Sequence, residues 1–314
     1  MKQLTHKAYG KINLGLDALA KRPDGYHELA MIMQTVDICD ELTFTATEEP
    51  GIVLTVEMVS DDSRQQRRLA ARQPIMVPAD QRNLVWRAAN LLMEEFQIRQ
   101  GVKIHLRKRI PVAAGMAGGS SDCAATLKGI NRLFGLGLSL TELQERGVKL
   151  GADVPYCLLG GTALAEGIGE KLTVLPDMPD CPMVVAKPGI GISTPFVFKH
   201  LRVSELESHP DIAGMRRAIE EGSLKGVIDR LGNVLETAAI PHFPIVGELK
   251  QAMAELGADG VLMSGSGPTV FGIFPSVDAA RKAAKELKEK RLAAQVFVTR
   301  PCTPEADTEV IHGE

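Results

Sequence analysis

The stretch from Pro111 to Asp122 constrains this chain more than any other. It runs Pro111, Val112, Ala113, Ala114, Gly115, Met116, Ala117, Gly118, Gly119, Ser120, Ser121, Asp122, and most of these side chains are small. The residues before it, Val102 to Ile110, alternate as a strand does, and Cys123 to Phe134 after it form an apolar helical run. A loop so placed joins a strand to a helix N-terminus. Small side chains let a backbone approach a polyanion closely, and the first helical turn offers N–H groups without intrahelical partners. Ser120 and Ser121 add hydroxyl donors there. The residues alone leave two readings open: a phosphate cradle, or a tight strand-to-helix turn with an N-cap. The loop is not a P-loop, because no Gly-Lys-Ser/Thr closes it. It is also a poor dinucleotide fingerprint, lying far into the chain with no acidic residue at ribose distance.

A second glycine loop, Gly265, Ser266, Gly267, Pro268 and Thr269, follows a strand signal at Gly260 to Met263. By itself it reads as a β-turn. Two such loops in one chain are better explained by one ligand gripped from two domains. The rest of the pattern agrees. Strand signals at Thr5 to Leu19, His27 to Thr35, Glu41 to Ala46 and Ile52 to Met58 open the chain, with a turn over Lys21 to Gly25. Leu84, Ala88, Leu91, Leu92 and Phe96 share helical spacing, and Ser139 with Glu142 forms a capping box. Gly151, Ala152, Asp153, Val154 and Pro155 make another turn-to-helix junction. Helical patterns dominate from Thr194 to Leu256; a Lys-rich helix and a last strand follow the second glycine loop. At 314 residues, 45% hydrophobic, the chain can support two cores. We expect a two-domain α+β fold, residues 1–165 and 166–314, with the site in the cleft between them.

Composition narrows the ligand class. Lys plus Arg number 36 and Asp plus Glu 39, a net charge of −3, so nothing draws the chain globally to nucleic acid or an anionic membrane. A phosphate site must be local. Aromatic residues are 4%, too few for a broad base-stacking surface. The five cysteines, Cys39, Cys123, Cys157, Cys181 and Cys302, form no C-x-x-C pair, which argues against a disulfide framework or structural zinc and for a reducing cytoplasm. No secretory signal or membrane span is expected. Ser60 to Pro78 reads as a basic, solvated extension.

The early Lys11, Ile12 and Asn13, the central P-x-x-x-G-x-x-G-G-S-S-D of Pro111 to Asp122, and the late G-S-G-P-T of Gly265 to Thr269 resemble the three ordered motifs of the GHMP kinases. The resemblance runs from Ala8 to Phe274. It narrows through Pro23, Asp24, Gly25, Tyr26 and His27, through Gly118 to Asp122, and through Gly151 to Pro155. These are similar to the branch of the family whose substrate carries a cytidine diphosphate group, as is the Ile192 to Phe198 stretch. Departures are Met116 and Ala117 where Leu and Gly are common, Cys123 where Ala is, and Tyr156 where Phe is.

The resemblance implies a two-domain GHMP kinase fold and transfer of the ATP γ-phosphate to the 2-hydroxyl of a methylerythritol unit. It implies that the loop from Pro111 to Ser121 holds ATP, that Asp153 accepts the alcohol proton, and that Lys11 stabilises charge and orients Asp153. Tyr26 and Phe198 would sandwich the cytosine, His27 would bond its polar edge, and Asn13, Gly265, Ser266 and Gly267 would complete the substrate site. Mg²⁺ accompanies ATP, with Ser121 a candidate ligand. A small-molecule partner, a monomer or weak homodimer, and a cytoplasmic location complete the expectation. On the residues alone, Asp153 reads equally as an N-cap, Lys11 as a strand lysine facing solvent, Tyr26 and His27 as a hairpin tip, and Phe198 as an ordinary apolar residue. Another GHMP kinase, of mevalonate or homoserine type, and a non-catalytic nucleotide-binding regulator are the alternatives.

Overall fold

The computed structural model describes residues 2–59 and 77–304; the extension expected from Ser60 to Pro78 lies almost wholly outside them. Strands β1 (Gln3–Lys21) and β2 (His27–Thr47) form one long antiparallel hairpin, Gln3 opposite Thr45 and Lys21 opposite His27. The sequence shows β2 as two shorter signals because apolar alternation survives only at the hairpin's ends. At the start of β1, Leu4, His6 and Ala8 are buried between exposed neighbours; from Gly10 to Ala18 every residue is buried. A strand covered on both faces loses its period of two.

The remaining elements are β3 (Ile52–Met58), α1 (Leu84–Glu95), β4 (Gly101–Lys108), α2 (Gly118–Leu133), α3 (Leu140–Gly147), α4 (Val154–Leu159), β5 (Thr162–Gly167), β6 (Lys171–Val174), β7 (Met183–Lys187), α5 (Thr194–His200), α6 (Ile212–Glu220), α7 (Leu224–Ile228), β8 (Gly232–Asn233), α8 (Glu236–His242), α9 (Pro244–Glu255), β9 (Gly260–Met263), β10 (Val270–Ile273), α10 (Val277–Glu289) and β11 (Gln295–Thr299). The first sheet runs β3-β4-β2-β1-β8. The length of β2 lets one edge carry two neighbours, β4 along Glu41 to Thr47 and β5 along Leu29 to Gln34. The second sheet runs β11-β7-β10-β9, all antiparallel.

Helices α1 and α2 cover the outer half of the first sheet, where Phe44, Leu92, Ile104 and Leu127 meet. Burying side chains of this size stabilises by about 1.5–3 kcal/mol each. Gly129 permits the approach, since a Cβ there would lie 2.7 Å from the Phe44 ring. Helix α1 starts as expected, Asn83 accepting from Val85 N at 2.9 Å. It stops at Glu95, so Phe96 is exposed rather than on the buried face. The α3 capping box is present in full. Leu16, Met31 and Met33 of the first sheet share a core with Val184, Leu249, Met263 and Leu287 of the second domain. That shared core fixes the two sheets against each other and sets the cleft.

The division expected at residue 165 falls inside β5. Both β5 and β6 extend the first sheet, so the chain passes to the second sheet between Val174 and Met183. The chain later returns, as β8 pairs with β1 at Gly15 and Leu16. Among the described residues no helix is long and apolar enough to cross a membrane.

Candidate active site

The loop after β4 carries an alternation of handedness. Ala113, Gly115 and Ala117 have φ of 51°, 72° and 54°, while the residues between them keep negative φ. Such alternation turns successive N–H groups toward one concave side, a nest for an anion. Ala113 and Ala117 each cost about 1–2 kcal/mol to hold there, so the surroundings must enforce the shape. They do so by stitching the loop to β1: Lys11 N donates to Met116 O at 3.1 Å, and Ser121 Oγ donates to Tyr9 O at 2.6 Å. The Met116 side chain is buried in the core against Gly10, where a Cβ would stand 3.3 Å from it.

The side chains of two expected site residues point away from the cleft. Neither Met116 nor Ser121 lines the cleft, and the Ser121 hydroxyl proton is committed to a backbone carbonyl. Ser120, one residue earlier on the first turn of α2, does face the cleft.

The second glycine loop closes on the first. Ser264 Oγ donates to Gly115 O at 3.0 Å. Asn233 donates from Nδ2 to Met263 O and Gly265 O, each at 2.8 Å. The Thr194 and Ser266 hydroxyls are 2.8 Å apart. Gly265 and Ser266 line the cleft; Gly267 lies behind them against Met263 and Ile192.

Lys11, Asn13 and Asp153 meet beside these loops. Lys11 Nζ donates to Asn13 Oδ1 at 2.7 Å and lies 3.8 Å from Asp153 Oδ2. Lys11 is buried, held by its place in the central strand, whereas the Asp153 side chain is 34% exposed to the cleft. Asp153 is at the N-cap position of α4 but makes no side-chain capping bond. Its carboxylate is turned to Lys11 instead, which removes the capping alternative.

The far end of the cleft is built by the β1–β2 turn and α5. Tyr26 is 59% exposed. The Phe198 ring packs on His27, centroids 5.1 Å apart and planes at 31°, so the aromatic contact in place is Phe198 with His27. Tyr26 lines the same cavity from outside that pair. Arg22 is neutralised by Asp24 and Glu28. Lys21, opposite His27, faces the cavity. Burial first, and then the Lys21 charge, hold the His27 imidazole below its ordinary range, so it is neutral at pH 7. One cavity of about 920 Å³ joins glycine loop, Lys11–Asp153 pair and aromatic end, enough for two small ligands end to end.

The sequence reading missed a group beneath the loop. Lys108 is buried between Asp40, which it contacts directly, and Asp122, whose Oδ2 is 2.8 Å away. Asp40 also accepts from Arg109 N at 2.5 Å and Ile110 N at 2.7 Å. Asp40 and Lys108 are 68 residues apart, and no local pattern links them. Their only sequence signal is a charge in the inward register of an alternating strand, Lys108 after Val102, Ile104 and Leu106, and Asp40 before Leu42 and Phe44. Among the described residues no group of three or more His, Cys, Asp or Glu is arranged to hold a metal.

Residues 83–161 match the sequence model of the GHMP kinases N terminal domain, and residues 211–292 that of the GHMP kinases C terminal domain. The chain belongs to the GHMP kinase family. It is 47% identical over 294 residues to the 4-diphosphocytidyl-2-C-methyl-D-erythritol kinase of Lachnoclostridium phytofermentans, covering 94% of this chain and 96% of the relative. It is 49% identical to the enzyme of that name from Enterococcus faecalis, covering 91% and 95%. Its fold superposes on a crystal structure of 4-(cytidine 5'-diphospho)-2C-methyl-D-erythritol kinase with a TM-score of 0.77 at 33% identity, covering 96% and 100%. A mevalonate kinase from L. major shares the fold, TM-score 0.70, at 17% identity. The first match includes the glycine loop of Pro111 to Asp122 and Asp153, and the second includes the glycine loop of Gly265 to Thr269, the two loops that interlock at the cleft.

Proposed function

We propose that this chain transfers the γ-phosphate of ATP to the 2-hydroxyl of 4-diphosphocytidyl-2-C-methyl-D-erythritol, giving the 2-phosphate and ADP, in non-mevalonate isoprenoid precursor synthesis. One observation carries the reading: a single cavity joins a backbone anion nest, a Lys–Asp pair and a base-sized aromatic end, in a chain 47–49% identical to kinases of that name.

The roles follow from position. The nest at Ala113 to Ala117 and the N-terminus of α2 hold the ATP phosphates by N–H groups and partial positive charge. Asp153, open to the cleft, accepts the proton of the attacking hydroxyl, a contribution of about two to four orders of magnitude. Lys11, fixed by Asn13, keeps that carboxylate oriented and lends positive charge where phosphoryl oxygens gather. The Ser120 hydroxyl is a hard oxygen donor of the kind Mg²⁺ takes alongside phosphate oxygens and waters; when bound, the metal supplies neutralisation of phosphate charge. At the other end Phe198 and Tyr26 offer apolar faces to a pyrimidine and neutral His27 a polar edge. We take the protein to act as a monomer or weak homodimer. The described cysteines carry no disulfide, which suits work in the reducing cytoplasm.

Mevalonate and homoserine kinases share the fold, but their small substrates give no use to the Tyr26, His27 and Phe198 end. The Lys11–Asp153 contact speaks against a non-catalytic regulator. The test compares kcat/KM at saturating ATP for the cytidyl substrate, methylerythritol phosphate, mevalonate and homoserine. The cytidyl substrate should lead by at least a hundredfold. A preference for any other sinks the reading.

A further inference from the structure

The Asp40–Lys108–Asp122 group has no part in the chemistry above, yet it touches both ends of the phosphate loop. Asp40 holds the loop's entry through Arg109 N and Ile110 N. Asp122 sits just past the first turn of α2 (Gly118–Leu133), at the loop's exit. The Lys108 ammonium joins the two carboxyl groups, all three side chains being buried. Its Nζ also lies directly under the loop, since a Cβ on Gly118 would stand 3.0 Å from it. We propose that Lys108 is a positioning residue for the ATP phosphates, a buried clamp that fixes entry and exit of the loop so that its N–H groups converge. The proposal rests on the loop being the ATP site.

Three observations favour a clamp over a simple core ion pair. A buried ion pair is weak as a stabilising device, because desolvation consumes most of its attraction. This one lies under the glycine loop rather than in any of the apolar cores. Asp122 Oδ1 is buried with no hydrogen-bond partner, a cost that folding alone does not explain. Burial and the nearby Asp40 charge push the Asp122 carboxyl well up, against the pull of Lys108. Burial would push the Lys108 ammonium down, but Asp122 and Asp40 outweigh it and hold it up. Finally, Ala113 and Ala117 sit at left-handed φ without being glycine, so the loop's ends must be held for its shape to persist.

The test is a split between two affinities. In Lys108→Met the clamp is cut at nearly constant volume, and calorimetry should show ATP binding weakened at least tenfold, with the cytidyl substrate bound within twofold of wild type. Because that variant strands two buried acids, Lys108→Met with Asp122→Asn is measured beside it; Asp40 there keeps its two backbone donors. The same split is expected. ATP affinity within twofold of wild type in either folded variant overturns the clamp. So does loss of folding in both, or a fall in melting temperature with both affinities intact, each of which assigns the group to the core. A wild-type protein that binds no ATP would instead sink the reading of the loop itself.

Discussion

Replacing Asp153 by Asn separates chemistry from stability with unusual clarity in this fold. The side chain makes no capping bond, so the loss of about 1 kcal/mol usual for a cap does not arise. What disappears is its interaction with Lys11 at 3.8 Å. At an effective dielectric of about 20 that pair is worth about 4 kcal/mol of Coulomb energy. The carboxylate is a third exposed, and pairs open to solvent return only about 0–1 kcal/mol of stability. For a chain of this size the melting temperature should therefore fall by no more than about 4 °C. The rate is a different matter. Asn cannot take the hydroxyl proton, so kcat should drop by about two to four orders of magnitude, or about 3–5 kcal/mol in the barrier. ATP and cytidyl-substrate affinities, measured by calorimetry, should stay within a few fold. A folded Asp153→Asn enzyme turning over within tenfold of wild type would refute the assignment of Asp153 as the base.

Other perturbations test the loops and the base end. Gly115→Ala places a Cβ 2.2 Å from Ser264 O at a φ of 72°; it should separate the two glycine loops, weakening ATP binding at least tenfold in the same calorimetric titration. Ala117→Gly relieves a left-handed alanine at φ 54°; the gain of about 1–2 kcal/mol exceeds the glycine entropy cost of about 0.5–1 kcal/mol, so the melting temperature should rise or hold. His27 has a folded pKa below its unfolded 6.5, so its contribution to stability is full above 6.5 and is lost as pH falls through the folded value. Protonation also removes the ring's acceptor lone pair, so KM for the cytidyl substrate should be flat from pH 8 to 6.5 and rise below, and His27→Gln should flatten that profile.

The fold class and the local turns were legible in the sequence; the long-range contacts were not. Glycine spacing and the Asp153-Val154-Pro155 junction are local, so the loops and the α4 start could be read off the chain. Strand lengths could not, because β1 and β2 are covered on both faces over their middle and no alternation marks where one signal joins the next. Nor could the direction of Ser121, which a bond to Tyr9 across 112 residues decides. Lys108 escaped notice for the same reason, since its partners come from β2 and α2. Tyr156 was visible only as a departure from the common Phe; its hydroxyl donates to Gly161 O at 2.7 Å and contacts Thr35 at 3.0 Å, tying the helix that carries Asp153 to β2. Ala117 was likewise a bare departure until its φ showed why glycine is common there.

The central claim is a phosphate transfer to one hydroxyl of one substrate. Phosphorus NMR of the protein with MgATP and 4-diphosphocytidyl-2-C-methyl-D-erythritol tests it most directly. Equimolar ADP and a new phosphomonoester resonance that assigns to the 2-position are expected, with the cytidine diphosphate signals retained. ATP loss to inorganic phosphate alone, or a phosphomonoester that forms only when mevalonate or homoserine is supplied, would contradict it.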